Sequence, residues 1–450
     1  MTEDVFLSRT ESVCPECLAT VPAERVLRGE DVFLRKTCRK HGSFETIVWR
    51  GAPSHAGWDR PKLPTYPKNP ATRIDEGCPR DCGLCADHRQ QTCCTLIEVT
   101  QRCNLCCPVC FAGAGEATSE DPDMGALRRT FQALLATGGP YNVQISGGEP
   151  TLREDLPEIV ELVISLGFKY VQLNTNGLRL AEDPGYAKRL KEAGLACVFL
   201  QFDGVTDTVY RRLRGRSLFE QKKLAVDRCA EAKLGVILVP TVVPGVNVHE
   251  IGLTIDFALQ RIPDVRGVHF QPISYFGRYP GRPTDGNRLT IPEIIRAIEA
   301  QTGGRMLAEH FKPAACENAY CSFHGNFVLM SDEKLLPWTR HDPGVCCSKP
   351  ERIEDAVSKK RRFQERFWTA PATGASMDGN HPGFGGWDDF LSRVATHSFC
   401  VSGMAFQDAW NLDLDRLREC SLHVVHPDGR LVPFCAYNLT GCDGRSLYRV

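Results

Sequence analysis

Cys103, Cys107 and Cys110 stand in the spacing C-x3-C-x2-C, within the stretch Cys103-Asn-Leu-Cys-Cys-Pro-Val-Cys-Phe111. Three thiolates on one loop can hold three irons of a [4Fe-4S] cube and leave the fourth iron without a protein ligand. An iron left open in this way can chelate a substrate or cofactor, as the free position does in a catalytic metal site. The alternative reading of this loop is a zinc-binding or disulfide-bonded turn. Cys106 lies outside the spacing and reads as a small buried residue or spare thiol.

Further cysteines group along the chain. Cys14, Cys17, Cys38 and His41 form two short knuckles, C-x2-C and C-x2-H, separated by β-like segments. Two such pairs fit one tetrahedral ion, zinc or a rubredoxin-like iron, and its binding would supply much of the folding energy of so small a module. Cys78, Cys82 and Cys85 repeat the C-x3-C-x2-C spacing, and Cys93 or Cys94 follows; Cys93 is the better fourth thiolate, which makes this a closed auxiliary cluster. Near the end, Cys316 and Cys321 form a half-site. Cys420 and Cys435 are brought together by a hairpin that turns at Asp428-Gly429. They imply a further Fe–S cluster, with structural zinc as the alternative; Cys346, Cys347, Cys400 and Cys442 lie in the same region.

These residues need elements to position them. The run Thr95-Leu-Ile-Glu-Val-Thr100 alternates and is β-branched, so the cysteine loop follows a strand. From 92 to 304 the pattern alternates strand and helix. Strands are expected near 94–100, 141–146, 170–175, 197–203, 235–243 and 266–274, and helices near 123–138, 154–167, 183–194, 207–233, 248–262 and 291–302. Six βα units imply an α/β fold, a parallel sheet curved into a partial (βα)6 barrel, with its site at the strand C-terminal ends. Ser146-Gly-Gly-Glu-Pro150 ends the second strand: Gly147 and Gly148 let backbone approach a ligand, and Glu149 beside them suits an ammonium group. The expected division is a metal-knuckle module at 1–60, a linker with the auxiliary motif at 61–91, the core at 92–304 and a Cys-rich region at 305–450.

Composition narrows the classes. The chain has 450 residues with a formal net charge of −1, so no global field favours nucleic acid. No apolar run reaches the length needed to span a bilayer, and Met-Thr-Glu-Asp-Val-Phe lacks the pattern of a secretory signal. A cytoplasmic location follows as the expectation. In a reducing compartment the 22 cysteines read as metal ligands rather than disulfides.

The cysteine loop with its trailing Phe111, followed by Gly147-Gly-Glu-Pro150, resembles the radical S-adenosylmethionine (SAM) superfamily. The order of knuckle, Gly77-Cys-Pro-Arg-Asp-Cys-Gly-Leu-Cys85, Glu98–Ala112 and Pro433-Phe-Cys-Ala-Tyr-Asn438 is similar to the group containing archaeal tetraether lipid synthase, formerly assigned as a pterin methylase. The resemblance implies that the open iron binds the SAM amino and carboxylate groups. One electron then cleaves a sulfur–carbon bond, and a 5′-deoxyadenosyl radical takes hydrogen from an unactivated carbon. It implies SAM contacts at Gly147, Gly148, Glu149, Pro150, Asn174, Asp203 and Arg214, with Thr241, Val243 and Gln271 along the adenosine. It implies a hydrophobic or lipid substrate; a pterin, nucleoside or peptide is the alternative, and an Fe–S electron-transfer protein or a zinc-dependent binding module are readings of other classes. Phe323, Phe327, Trp338 and Phe367 are candidates for an apolar pocket wall, with ordinary core as the alternative. A ferredoxin or flavodoxin is the expected electron donor, and peripheral membrane contact stays open.

Overall fold

The computed structural model describes residues 3–115, 120–341, 350–371 and 386–449. Cys346 and Cys347 lie outside the described residues. The N-terminal strands Val5–Val13, Thr20–Arg28, Asp31–Cys38 and Gly42–Trp49 form a four-stranded antiparallel sheet in sequence order. Its tight hairpins suit glycine: Gly29 and Gly42 sit at φ +64° and +79°, where a Cβ is disfavoured.

The core begins at β1 (Cys94–Thr100) and continues through β2 (Asn142–Gly147), β3 (Val171–Thr175), β4 (Cys197–Gln201), β5 (Gly235–Val239) and β6 (Val265–Pro272). These strands are mutually parallel and adjacent in that order. The connecting helices are α1 (Met124–Ala136), α2 (Leu156–Ser165), α3 (Leu178–Glu182), α4 (Tyr186–Glu192), α5 (Asp207–Arg214), α6 (Phe219–Glu231), α7 (Ile251–Leu259) and α8 (Ile291–Gln301). The boundaries follow local chemistry. Asp123 caps α1 by accepting from the Ala126 N–H, and Thr290 with Glu293 forms a capping box on α8. The single helix expected over 207–233 is two, because Gly215 at φ +79° ends α5. The sheet buries Val143, Ile145, Val171, Leu173, Val198 and Val236 against these helices.

Residues beyond 305 do not form a body apart. Strands β7 (Ser322–Leu329) and β9 (Ser398–Met404) extend the sheet beyond β6, with β8 (Leu335–Pro337) outermost. At the opposite edge β10 (Leu422–Val425) lies parallel to β1, and β11 (Leu431–Pro433) returns antiparallel to it. The hairpin around Gly429 is as the sequence predicts, at φ +89°. Helix α9 (Ile353–Phe367) closes the end where the strands begin. Arg361 donates to the Cys93 carbonyl at 3.1 Å, and Gln364 accepts from Asn142 at 2.9 Å.

The N-terminal sheet docks on the far end of the chain. Ser12 donates to the Leu412 carbonyl at 2.5 Å, buried Lys36 donates to the Ala409 carbonyl at 2.7 Å, and Arg25 pairs with Asp413 at 2.6 Å. Among the described residues no helix is long and apolar enough to cross a membrane.

Candidate active site

The cysteine loop leaves β1 and packs on the turn that ends β2. The Gly148 N–H donates to the Thr100 carbonyl and the Glu149 N–H to the Arg102 carbonyl, both at 2.8 Å. A Cβ on Gly147 would lie 2.1 Å from the Thr100 oxygen, and one on Gly148 2.2 Å from the Arg102 oxygen. The close approach that requires these glycines is therefore between turn and cysteine loop. Glu149 is buried, and its carboxylate turns toward β3. Oε1 accepts from the Thr151 N–H at 3.1 Å and from the Thr151 and Thr175 hydroxyls at 2.6 Å each; Oε2 accepts from the Asn176 N–H at 2.7 Å. These donors of the chain itself brace the turn against β3, and Glu149 also lines the cavity in front of the cysteine loop. Pro150 is buried at the start of the following 3-10 turn.

A residue that sequence reasoning missed grips the loop from the other side. Arg278 donates to the Cys107 carbonyl at 3.0 Å, to Gly113 at 3.0 Å and to Ala114 at 2.7 Å, and its backbone bridges that of Cys110. Nothing in its sequence context marks it, because its partners are 164 to 171 positions away.

One cavity of about 500 Å³ runs through the interior. At the strand C-terminal ends it is lined by Cys103, Cys107, Cys110, Gly147, Gly148 and Glu149, and deeper by Asn174, Arg214, Thr241 and Gln271. Arg214 and Asp203 form a buried bidentate pair at 2.7 and 2.6 Å. The guanidinium also donates to Thr241 Oγ1 at 3.1 Å and reaches the Cys107 thiol. Asp203 and Val243 do not line the cavity. Asp203 orients Arg214 and accepts from the Thr241 N–H at 3.1 Å, while the Val243 N–H donates to Asn247 at 2.8 Å. Asn176, the neighbour of the expected Asn174, also lines the cavity; it donates to Asn104 in the cysteine loop at 2.7 Å.

The far end of the cavity carries a second polar group. Glu317 pairs with Lys360 at 2.9 Å, accepts from Ser322 at 2.7 Å and lies 3.0 Å from the Cys316 thiol. The ammonium and these hydrogen bonds hold the Glu317 carboxyl down at about 2 against the opposing effect of burial. His269 and His324 line the same region, and burial lowers them to about 4 and about 3. Of the four aromatics expected at a pocket wall, only Phe323 lines the cavity. Phe327 is core, and Trp338 stacks edge-on against Phe367 at 5.3 Å.

The cysteines sort into groups. Cys14, Cys17, Cys38 and His41 bring their ligand atoms within 4.8 Å of one another, the span of a single ion. Cys103, Cys107 and Cys110 are electrostatic neighbours, and burial pushes the Cys103 thiol up to about 11, so cluster binding must expel protons. Cys82 contacts Cys78 and neighbours Cys85. Cys93 departs from the expectation. Its thiol contacts Cys316 at the start of β1, where Arg361 holds its backbone carbonyl. Cys321 in turn leaves Cys316 and joins Cys420 and Cys435 across the β10–β11 hairpin. Cys435 is buried and the other two are half-buried, with Arg416 3.5 Å from the Cys321 sulfur and the Gln407 N–H 3.3 Å from that of Cys435.

A family model described as the Radical SAM superfamily matches residues 97–258, and one described as the HMPTM N-terminal zinc ribbon domain matches residues 6–50. A 7,8-dihydro-6-hydroxymethylpterin dimethyltransferase of Methanocaldococcus jannaschii is 33% identical, with 96% of this chain and 93% of that protein aligned. A probable GTP 3′,8-cyclase of Methanopyrus kandleri is 34% identical over 57% of this chain and 76% of its own. Among solved structures, SuiB of Streptococcus suis aligns with 48% of this chain and 46% of its own, at 18% identity and a TM-score of 0.40.

Proposed function

We propose, from the premise that this chain belongs to the radical SAM superfamily and to the family of the methanogen pterin dimethyltransferase, that it functionalises a C–H bond of a reduced pterin or a similar polar heterocycle, with methyl transfer as the outcome. The observation that carries the reading is the shared cavity: three loop thiols at one end and a lining of amides and paired charges along it. Gln144, Asn174, Gln201, Gln271 and Asn326 offer donors and acceptors to the edge of a heterocycle. Leu96, Phe199, Val239, Phe323 and Trp368 line the same cavity, so its wall is mixed, and the choice of a pterin over the lipid expected from the sequence rests on the relative.

In this reading Cys103, Cys107 and Cys110 hold the [4Fe-4S] cluster, and the bound cluster and SAM together supply one-electron cleavage and hydrogen abstraction. Arg214, fixed by Asp203, presents a cation beside Cys107 for the SAM carboxylate. Thr241 and Gln271 flank the adenosine, and the interior of the sheet excludes water. Glu317 and Lys360 orient the substrate from the far end. The N-terminal four-ligand site takes zinc, and the Cys321, Cys420 and Cys435 trio takes an auxiliary cluster. A cytoplasmic setting with a small reduced ferredoxin or flavodoxin as donor fits these requirements.

The test is anaerobic incubation with SAM and dithionite, offering a 7,8-dihydropterin and a lipid extract separately. Stimulated 5′-deoxyadenosine release and a product heavier by one CH2 for each hydrogen replaced by methyl are expected with the pterin. Stimulation by the lipid extract alone would overturn the substrate class.

A further inference from the structure

We propose that the end of the cavity remote from the cysteine loop is a phosphate subsite, where Lys312, Lys360 and Arg60 seat a phosphoryl group carried by the substrate. The proposal deepens the functional reading above and rests on it for the substrate's place in this cavity. Arg60, Lys312, Lys359 and Lys360 line that end, and among the described residues the carboxylates lining it are Glu317 and Glu351.

Contacts gather the four cations. Glu351 accepts from Arg60 at 2.9 Å through one oxygen and from Lys359 at 2.8 Å through the other, and Glu317 pairs with Lys360 at 2.9 Å. Arg60 also donates to the Pro313 carbonyl at 3.1 Å, next to Lys312 in the chain. Lys312 exchanges backbone hydrogen bonds with His324 at 3.1 and 3.0 Å in an antiparallel bridge. Residues paired in this way send their side chains to one face, and both line the cavity. The charges of Lys312, Arg60 and Lys360 all bear on the His324 ring, so the three cations surround one point.

The charges do not balance. Two carboxylates against four cations leave an excess of two positive charges. Among the described residues the half-buried Lys312 ammonium has neither a hydrogen bond nor an ion pair. Burial and the Arg60 guanidinium push it below the ordinary lysine value, a cost that an anion would relieve. A phosphate monoester brings about −1.5 to −2 charges at pH 7 and three acceptor oxygens, which matches the excess; a carboxylate would leave one charge over. The SAM carboxylate is a different anion, because the seven residues of β1 separate this end from the cysteine loop by roughly 20 Å. Lys359 is 66% exposed, so the cavity reaches solvent here and a charged arm can enter.

The test gives the full, cluster-loaded chain 7,8-dihydro-6-hydroxymethylpterin, its phosphate ester, or an anionic phospholipid in detergent beside its phosphate-free diacylglycerol. Each is offered with SAM and dithionite, and 5′-deoxyadenosine release is read. The pterin ester should be preferred to the free alcohol, and Lys312→Met should cut that preference in kcat/KM by about 10–100-fold, the worth of a hydrogen bond to a charged group. Lys312→Arg should restore most of it, and Lys334→Met, outside the cavity, should leave it unchanged. Binding of inorganic phosphate, followed by phosphorus NMR line width without SAM, should weaken to a similar degree in Lys312→Met. If that binding behaves as expected but only the phospholipid is turned over, the subsite stands and the pterin reading falls. Equal rates on ester and alcohol, with phosphate binding unaltered in Lys312→Met, would overturn the subsite and leave the pterin reading in place.

Discussion

Arg214 and Asp203 face each other through two parallel hydrogen bonds of 2.7 and 2.6 Å, and both side chains are almost wholly enclosed. The pair sits one contact from the Cys107 thiol, so it links the ends of β4 and β5 to the cysteine loop.

Breaking this pair should be severe, because the surviving Arg214 keeps its charge while almost wholly enclosed. Asp203→Asn should reduce stability by about 3–5 kcal/mol. SAM cleavage should fall with it, and Arg214→Lys should fall short of rescue because an ammonium cannot donate in a fork. Urea unfolding and 5′-deoxyadenosine release check both statements; unchanged stability in Asp203→Asn would contradict them.

Gly147→Ala should separate the cysteine loop from the β2 turn, since the new methyl would meet the Thr100 carbonyl at 2.1 Å. Lower iron content and a lower melting temperature are expected. Gly286→Ala is the control: its nearest neighbour is 3.8 Å away, at ordinary van der Waals distance. Equal behaviour of the two variants would refute the steric account.

Arg278→Met should leave the three thiols in place while freeing the loop that presents them. Lost support of this kind typically weakens metal affinity or activity roughly 10–100-fold. Iron titration and the SAM-induced change in the cluster EPR signal are the measurements, and the fold should persist by circular dichroism.

Acid should destabilise the protein through His269. Burial holds its pKa at about 4 against an ordinary 6.5, with Lys360 adding to the shift and Glu317 opposing it. As pH falls below 6.5 the unfolded chain takes up a proton that the folded chain refuses until about 4. The unfolded state thus binds more protons in that window, and stability drops by on the order of 3 kcal/mol from this residue. His269→Gln should flatten that part of the profile in urea midpoints taken between pH 7 and 5. Glu317 acts lower: its stabilisation is present above 4.5 and is lost toward about 2.

The N-terminal sheet should hold one ion per chain. Cys38→Ala or a strong chelator should release it and lower the melting temperature, since the four ligands are gathered from the first and third hairpins. Elemental analysis before and after chelation decides; full metal content in the variant would exclude this ligand set.

Much of this was readable in the sequence where contacts are local. The six core strands fall within a few residues of their expected spans, because each is a short apolar run beside an amphipathic helix. The knuckle residues meet as expected because hairpin register carries Cys38 and His41 back toward Cys14 and Cys17. Long-range pairing was not readable. Cys93 is 8 positions from Cys85 and 223 from Cys316, and it pairs with the distant one because α9 and the start of β1 fix it there. The strand Ser398–Met404 carries no clear alternation, since it is buried throughout most of its length between two other strands. Arg278 and Lys360 act through tertiary contacts alone.

The two edge additions to the sheet have a consequence for the order in which the protein is made. Both neighbours of the core edges, β9 beside β6 and β10 beside β1, come from the last third of the chain. During synthesis on the ribosome the six parallel strands are complete while both edges still present bare hydrogen-bonding groups. In that interval the interior is reachable by iron and sulfide but also open to pairing with a neighbouring chain. Residues 398–433, which follow the core in the chain, close both edges and seat the N-terminal sheet against Ala409, Leu412 and Asp413. A shortened chain that ends before Leu422 leaves β1 uncovered, so its expected fate is aggregation rather than partial activity.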